Sequence, residues 1–313
     1  MFRWMAVAFL SVSTAAQALD PRLYTIGSGD VNGSYYAAAT ALCQETNRAE
    51  AALRCSPEAT PGSIYNMEAL RNRQLDFAIV QSDVQNMALT GEGPFLGKPA
   101  FSDLRSVMSL YPETLTVLSR PDAHILSLGG LVGKRVDIGL PASGRQATAM
   151  RLLTALGLDR TDFRALLELS TGTGLDELCA GRIDATVLIL GHPSSVVDRA
   201  INECDARLVN ISGPEVRAFI EANDDYVYSS IPRSVYGKKG RILSIGVLAT
   251  LVTRTDMPDD IVAAIIKNTI ANLPSIGASA AVLEKLSVRD MQESGLAAPL
   301  HPAAAAMFAE IGK

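Results

Sequence analysis

The sequence has few charged and aromatic residues and no cluster of basic ones. Of its 313 residues, 19% are charged and 5% aromatic, whereas 48% are hydrophobic. This balance excludes an intrinsically disordered chain, which could not bury enough apolar surface to offset the entropy lost on folding. The net charge is −5 and no lysine or arginine run occurs, so the electrostatic footprint of a nucleic-acid-binding protein is missing. Small anionic ligands stay compatible with this charge.

Motifs for catalysis and for metal or cofactor binding are missing as well. The residues around Ser143 do not form the G-x-S-x-G turn of a serine hydrolase, and no H-E-x-x-H segment or Walker loop occurs. The three histidines, His124, His192 and His301, are scattered along the chain. No nucleophile, base and orienting group can be assembled, so we predict a protein that is not an enzyme and needs no metal or cofactor.

No apolar run approaches the roughly 18–20 residues of a membrane-spanning helix. The N-terminus carries Arg3, an apolar stretch over residues 4–10 and the small-residue site Ala16-Gln17-Ala18. This order predicts a secretory signal peptide over residues 1–18, cleaved after Ala18. A membrane anchor is the alternative, but its apolar run is too short. We therefore expect a soluble, exported protein.

The four cysteines all follow the predicted signal peptide. Four cysteines allow three pairings, and short sequence separation favours Cys43 with Cys55 and Cys179 with Cys204. Each disulfide would lie within one half of the chain and stabilise it by about 2–4 kcal/mol. A zinc site is the alternative, but the sequence has no C-x-x-C pair and its histidines are scattered.

Strand and helix patterns alternate along the chain. This alternation predicts parallel sheets with helices on both faces. In the helix that begins near Ser143, Ala149, Leu152, Leu153 and Leu156 form a one-sided apolar stripe. Strands are expected over 23–27, 52–56, 75–80, 135–140, 183–190 and 207–211, and helices over 34–48, 63–73 and 174–181.

The two halves of the chain share a short pattern. Residues 70–80 and 178–188 both read as a helix end, a turn and an aspartate (Asp76 or Asp184) before an apolar strand. The pattern indicates either equivalent βαβ units or an ordinary helix-to-strand turn. Two long β stretches, 106–120 and 241–254, would join the halves, with a ligand cleft between them. We expect one lobe from residues 19–116 and 246–313 and a second from 117–245, with the chain helical after Asp259.

Five turns between strands and helices are candidates for ligand contact. The first, GSGDVNGSYY (27–36), lacks dinucleotide-binding spacing and is either an ordinary turn or a nest for a carboxylate, formed by backbone N–H groups and hydroxyls. The others are ATPGSIYNM (59–67), where Ser63 and Asn66 can cap a helix; QSD (81–83), where Asp83 can cap one; LPASGRQATA (140–149); and GHPS (191–194). Arg145, the only guanidinium beside these turns, is either a solvated side chain in a first helical turn or the group that binds an acidic ligand. In the second case Arg145→Ala is expected to weaken binding more than tenfold and to leave the melting temperature nearly unchanged.

These turns together resemble the TAXI family, the solute receptors of one branch of TRAP transporters. The resemblance spans nearly the whole exported chain. It implies a type II periplasmic-binding-protein fold, with two α/β lobes joined by two hinge strands and a ligand cleft between them. The segments that carry it are GSGDVNGSYY (27–36), TPGSIYN (60–66), LDFAIVQSD (75–83), LPASG (140–144), LCAGRIDA (178–185) with GHPS (191–194), and ATLVTR (249–254).

The resemblance also implies a ligand and a partner. The ligand would be a small organic anion or amino acid, glutamate-like or a C4–C5 dicarboxylate. The partner would be a fused membrane permease driven by an ion gradient, and the receptor a monomer. An ATP-driven importer, a sensor kinase or an exported enzyme on the same fold are the alternatives. Asn32-Gly33 replaces the Gly-Gly of many relatives, and nearby Asp30 would weaken a second carboxylate site or meet an amino group.

By position, the resemblance places sixteen residues in the cleft. They come from all five turns, and their backbone N–H groups, hydroxyls and side-chain amides would replace the hydration of the ligand. They are Gly27, Ser28, Gly33, Ser34, Tyr35, Tyr36, Ser63, Asn66, Gln81, Ser82, Ser143, Gly144, Arg145, Gly191, His192 and Pro193.

Overall fold

A computed structural model describes residues 20–311, so the predicted signal peptide over 1–18 lies outside the described residues. Ten strands form one mixed sheet with helices on its faces. The strands are β1 (Arg22–Gly27), β2 (Leu53–Glu58), β3 (Phe77–Gln81), β4 (Leu104–Ser119), β5 (Arg135–Asp137), β6 (Ala165–Leu167), β7 (Ala185–Leu190), β8 (Arg207–Val209), β9 (Val227–Pro232) and β10 (Arg241–Arg254).

Helices follow most of these strands, as the alternating pattern predicts. They are α1 (Ser34–Ala49), α2 (Ser63–Arg71), α3 (Ser82–Thr90), α4 (Gly144–Ala155), α5 (Thr171–Cys179), α6 (Ser195–Glu203), α7 (Pro214–Glu221), α8 (Asp259–Ala271), α9 (Leu273–Ser279), α10 (Val288–Glu293) and α11 (Pro302–Ile311). Among residues 20–311, no single helix is long and apolar enough to cross a membrane. Within the same range, α8 and α9 taken together are long and apolar enough, but they are bent by 84° at their junction.

Two long strands connect the two halves of the sheet. The strand order is β2-β1-β3-β10-β4-β7-β5-β6, with β8 beside β4 and β9 beside β10. β1 pairs in parallel with β2 and β3, and β5 pairs in parallel with β6 and β7. β4 and β10 run antiparallel to each other through both halves. The predicted pair of α/β lobes joined by two strands is therefore present.

The hydrophobic core is divided at these two strands. Four clusters of buried hydrophobic side chains make up the core. Two of them consist of residues from 24–111 and 249–308, and the other two consist of residues from 115–247. The change occurs between Tyr111 and Leu115 on β4 and between Val247 and Ala249 on β10. Each lobe consequently has its own core on both faces of its part of the sheet, and only the two long strands are shared.

The short pattern common to both halves has the same structural role in each. Asp76 precedes β3 and its Oδ2 accepts a hydrogen bond of 2.9 Å from the Thr25 N–H on β1. Asp184 precedes β7 and its Oδ2 accepts a hydrogen bond of 2.8 Å from the Arg135 N–H on β5. Each aspartate thus ties the start of its strand to the parallel neighbour, which supports equivalent βαβ units.

Local hydrogen bonding ends one predicted strand early. The strand predicted over 135–140 ends at Asp137, whose Oδ1 accepts hydrogen bonds from the N–H groups of Gly139 (3.0 Å) and Leu169 (2.9 Å). Gly139 then turns the chain with φ of 98°. In contrast, α4 starts as predicted: Ser143 Oγ caps it by accepting from the Gln146 N–H.

Both predicted disulfides are confirmed. Cys43 pairs with Cys55 within the first lobe, and Cys179 pairs with Cys204 within the second. All four cysteines are thereby used, which excludes the zinc alternative for them.

Candidate functional site

A cavity lies between the lobes, at the carboxyl ends of parallel strands. α1 follows β1, α2 follows β2, α4 follows β5 and α5 follows β6, so all four helices begin at this edge of the sheet. Residues from the first turn or the N-cap of each of these helices line the cavity. In open α/β sheets this edge is the usual place for a ligand.

These helix starts bring backbone N–H groups that have no partner inside their helix into the cleft; in α4 and α5 one such group each is capped by Ser143 or Ser170. The first N–H groups of a helix have no partner inside it, and the N-terminus carries a partial positive charge. The N-cap residues of α1 and α2 are Gly33 and Gly62, and neither helix has a side-chain cap. The capping role predicted for Ser63 and Asn66 is therefore wrong. Asp83, in the first turn of α3, is not its N-cap either, because that residue is Gln81.

Half of the sixteen predicted residues line this cavity. Ser63 Oγ accepts a hydrogen bond of 3.1 Å from the Gln81 N–H, which joins the start of α2 to the end of β3. Tyr35 is buried and its hydroxyl points to the same region, 3.4 Å from Ser63 Oγ. The predicted residues that line the cavity are Gly33, Ser34, Tyr35, Ser63, Gln81, Ser143, Gly144 and Arg145.

The other eight predicted residues do not line the cavity. Most of the polar side chains among them form hydrogen bonds with other groups of the protein. Ser28 Oγ donates to the Glu58 carbonyl at 2.6 Å, and Asn66 Nδ2 donates to the Ser28 carbonyl at 2.7 Å. His192 contacts Thr116 Oγ1 through Nε2 at 3.0 Å, and burial lowers its pKa to about 4. The eight residues are Gly27, Ser28, Tyr36, Asn66, Ser82, Gly191, His192 and Pro193.

Arg145 lines the cavity, but its guanidinium is engaged inside the second lobe. It forms an ion pair with Asp137, and its Nη2 donates to Thr186 Oγ1 at 2.8 Å. Arg145 is 8% exposed and Asp137 is fully buried. The expectation that Arg145 is a free guanidinium, removable without a change in melting temperature, does not hold because its loss would leave the Asp137 carboxylate buried and unpaired.

Sequence reasoning did not include several residues that line the cavity. Asp30 lies in the first turn, Ser170 and Thr171 form the start of α5 outside the five candidate turns, and Glu113 lies within a hinge strand. A signal for Glu113 was present, since it interrupts the apolar stretch SVMSLYPETLTVL. Its contact with the cleft depends on the position of β4 between the lobes, which sequence spacing alone does not give.

Glu113 is an acid of the cleft whose ionisation is opposed by burial. It is 2% exposed, and its Oε2 accepts a hydrogen bond of 2.7 Å from the Tyr35 hydroxyl. Burial raises the pKa of Glu113 to about 8; the Tyr35 hydrogen bond opposes this shift and the negative charge of Asp83 adds to it. Burial also raises the pKa of Tyr35, so its hydroxyl stays a donor.

Hydrogen bonds cross the cleft beside the cavity. Gln81 Nε2 donates to Thr148 Oγ1 at 2.9 Å, and the Tyr226 hydroxyl donates to Asp83 Oδ2 at 2.5 Å. Asp83 is fully buried, and burial raises its pKa while the Tyr226 hydrogen bond lowers it. These contacts hold the lobes together around the cavity.

A family comparison agrees with this architecture. A model of the NMT1-like family matches residues 26–312, which is most of the sequence. The chain belongs to the NMT1-like family. The match includes both lobes and both hinge strands of this NMT1-like protein.

Solved structures share the fold of this NMT1-like protein at low sequence identity. MatC from Rhodopseudomonas palustris with bound malate has a TM-score of 0.59 at 14% identity, with 83% of this chain and 88% of that chain covered. The alkanesulfonate-binding protein SsuA from Xanthomonas axonopodis pv. citri, bound to MOPS, has a TM-score of 0.51 at 16% identity, with 93% and 85% covered. A periplasmic transporter has a TM-score of 0.55 at 16% identity, with 95% and 94% covered. The predicted periplasmic-binding-protein fold is confirmed.

Proposed function

We propose that this NMT1-like protein is an extracytoplasmic solute receptor that binds a small organic anion or amino acid between its lobes. The observation that carries this proposal is the convergence of four helix N-termini, two from each lobe, on one cavity. Their N–H groups and partial positive charges are suited to a carboxylate. Hydroxyls of Ser34, Tyr35 and Ser63 lie among them as further hydrogen-bonding groups.

Ligand binding would favour the state in which the lobes are in contact. A ligand held by groups of both lobes has a higher affinity for the closed state than for an open one, and it shifts the population by that difference. The Thr171 N–H, which donates to Asp30 Oδ2 at 3.2 Å, and the Tyr65 N–H, which donates to the Ala142 carbonyl at 3.0 Å, add bonds between the lobes. A partner in the membrane would recognise the closed surface.

The partner we propose is a fused permease of the TRAP type, with the chain as its TAXI receptor. The turn segments GSGDVNGSYY (27–36) and LPASG (140–144) are among those that carry this resemblance. Membership of the NMT1-like family is compatible with it. The signal peptide over 1–18 would direct export to the periplasm, where the receptor would act as a monomer. The lobes would comprise residues 19–116 with 246–313, and residues 117–245. Uptake by the reconstituted permease under an ion gradient without ATP would distinguish this partner from an ATP-driven importer.

A thermal-shift screen tests the receptor function directly. The chain from residue 19 onward is screened against organic acids and amino acids, and hits are measured by calorimetry. A ligand at 100 times its Kd adds about 2.7 kcal/mol to the unfolding free energy, which corresponds to a shift of roughly a few degrees. Recovery of the compound unchanged supports a receptor, whereas its turnover supports an enzyme. No shift, together with native mass spectrometry that detects no bound compound, would contradict the proposal.

A further inference from the structure

Glu113 presents one free carboxyl oxygen at the ligand cavity. Its Oε2 is used by the Tyr35 hydroxyl at 2.7 Å, and within residues 20–311 its Oε1 makes no hydrogen bond. The residue lines the cavity at the point where β4 passes from one lobe to the other. Because Glu113 lines the cavity and this oxygen has no partner among the described residues, it is available to a polar atom of the ligand.

The other charged groups that line the cavity are engaged inside the protein. Asp30 accepts hydrogen bonds from the Asn32 N–H at 2.8 Å and the Thr171 N–H at 3.2 Å. Arg145 is paired with Asp137. The groups that face a ligand are therefore chiefly N–H donors and hydroxyls, together with the Asp30 and Glu113 carboxyl groups.

No cation offsets a negative charge on Glu113 within the described part of the cleft. Burial raises the pKa of Glu113 to about 8, so at neutral pH the carboxyl group is mostly protonated and can donate. Among its titratable neighbours, burial raises the pKa of Tyr35, Tyr111 and Asp83 as well. The tyrosines stay protonated throughout the range in which Glu113 ionises.

We propose that the cleft selects an organic acid without an amino group, with Glu113 acting as a neutral carboxylic acid that donates a hydrogen bond to the ligand's carboxylate. This inference rests on the proposed receptor function and names the ligand class of that site. A ligand ammonium group would need acceptors. The Asp30 carboxylate keeps lone pairs beside its two N–H bonds, but the ammonium group would also meet the positive ends of four helices. A carboxylate meets donors from both lobes.

Matched pairs of probes test this selection. Calorimetry compares succinate with aspartate and glutarate with glutamate, because the members of each pair differ only in the amino group. The amino-free member is then titrated into the wild type and Glu113→Gln from pH 7 to pH 9. Gln keeps the acceptor for Tyr35 and supplies a permanent N–H donor. Glu45→Gln is the control, since Glu45 is also buried but contacts Arg48 and Ser275 outside the cavity.

The expected result is at least tenfold tighter binding of the amino-free acid at pH 7. Its affinity for the wild type should fall about tenfold between pH 7 and pH 9, because binding above the pKa of Glu113 requires uptake of one proton. Glu113→Gln should bind within about threefold of the wild type at pH 7 and lose this pH dependence, whereas Glu45→Gln should keep it.

Two results would overturn the inference. Tighter binding of the amino acid, or complete loss of binding in Glu113→Gln while Glu45→Gln still binds, shows that Glu113 acts as an anion. In that case the receptor function stands and only the ligand class changes. If no acid binds with or without an amino group, and the screen detects no other ligand, both the inference and the proposed function fail.

Discussion

Gly144 begins α4 and lies directly against side chains of the other lobe. A Cβ atom at this position would lie 1.9 Å from Gln81 Oε1 and 2.8 Å from Ser63 Oγ, both in the other lobe. Gln81 cannot turn away freely, because it is 2% exposed and its amide donates to Thr148 at 2.9 Å and to Asp83 at 3.2 Å. Gly144→Ala should therefore hinder closure of the lobes.

The size of the effect follows from these contacts. Moving the Gln81 amide would break two hydrogen bonds, each contributing about 0.5–1.5 kcal/mol. As an independent guide, adding a methylene or methyl group to a packed protein interior typically costs about 1–3 kcal/mol. Both figures indicate that Gly144→Ala destabilises the closed state by about 1–3 kcal/mol. This corresponds to a roughly 5- to 150-fold loss of ligand affinity. The separate lobes should not be destabilised, since alanine is a better helix former than glycine.

Calorimetry with the ligand from the screen measures the affinity, and thermal unfolding without ligand measures stability. Gly172→Ala is the matched control, because its Cβ would meet Asn32 Nδ2 at 2.6 Å, but Asn32 is exposed and can turn into solvent. We expect a large loss of affinity for Gly144→Ala and little change for Gly172→Ala. Wild-type affinity in Gly144→Ala would refute the closure argument, as would an equal loss in both variants.

Two further predictions concern the buried polar contacts. Arg145→Ala should lower the unfolding free energy by about 3–5 kcal/mol in chemical denaturation, because the Asp137 carboxylate is left buried without a counter-ion. Adding Asp137→Asn should restore part of the lost stability. Wild-type stability of Arg145→Ala would contradict the prediction. Tyr226→Phe removes the donor to Asp83 across the cleft, so ligand affinity should fall about 5- to 150-fold by calorimetry, for a cost of about 1–3 kcal/mol. Burial raises the pKa of Asp83, so closure favours its protonated form, and the affinity lost in Tyr226→Phe should grow as pH rises above that raised pKa, where the closed state must hold the carboxylate without its donor. A loss that does not change with pH would exclude Asp83 as the cause.

Local sequence patterns were sufficient for the elements and for part of the cleft. The apolar stripe of α4 is buried at Ala149, Leu152 and Leu153, as its spacing predicts. The two disulfides followed from short sequence separation. The glycine-rich turns marked the starts of α1 and α2, because helix starts depend on residues close together in the chain.

The sequence by itself determined the alternation of strands and helices, the two halves and their long connecting strands, because hydrophobic periodicity and turn residues act locally. Tertiary structure alone decided which side chains are free to meet a ligand. Arg145 stands beside a ligand turn in sequence, yet Asp137 on β5 neutralises it. Glu113 stands inside an apolar stretch, yet it faces the cleft. Burial and pairing depend on residues brought together from distant segments, so the charges available in the cleft are fixed only in the folded structure.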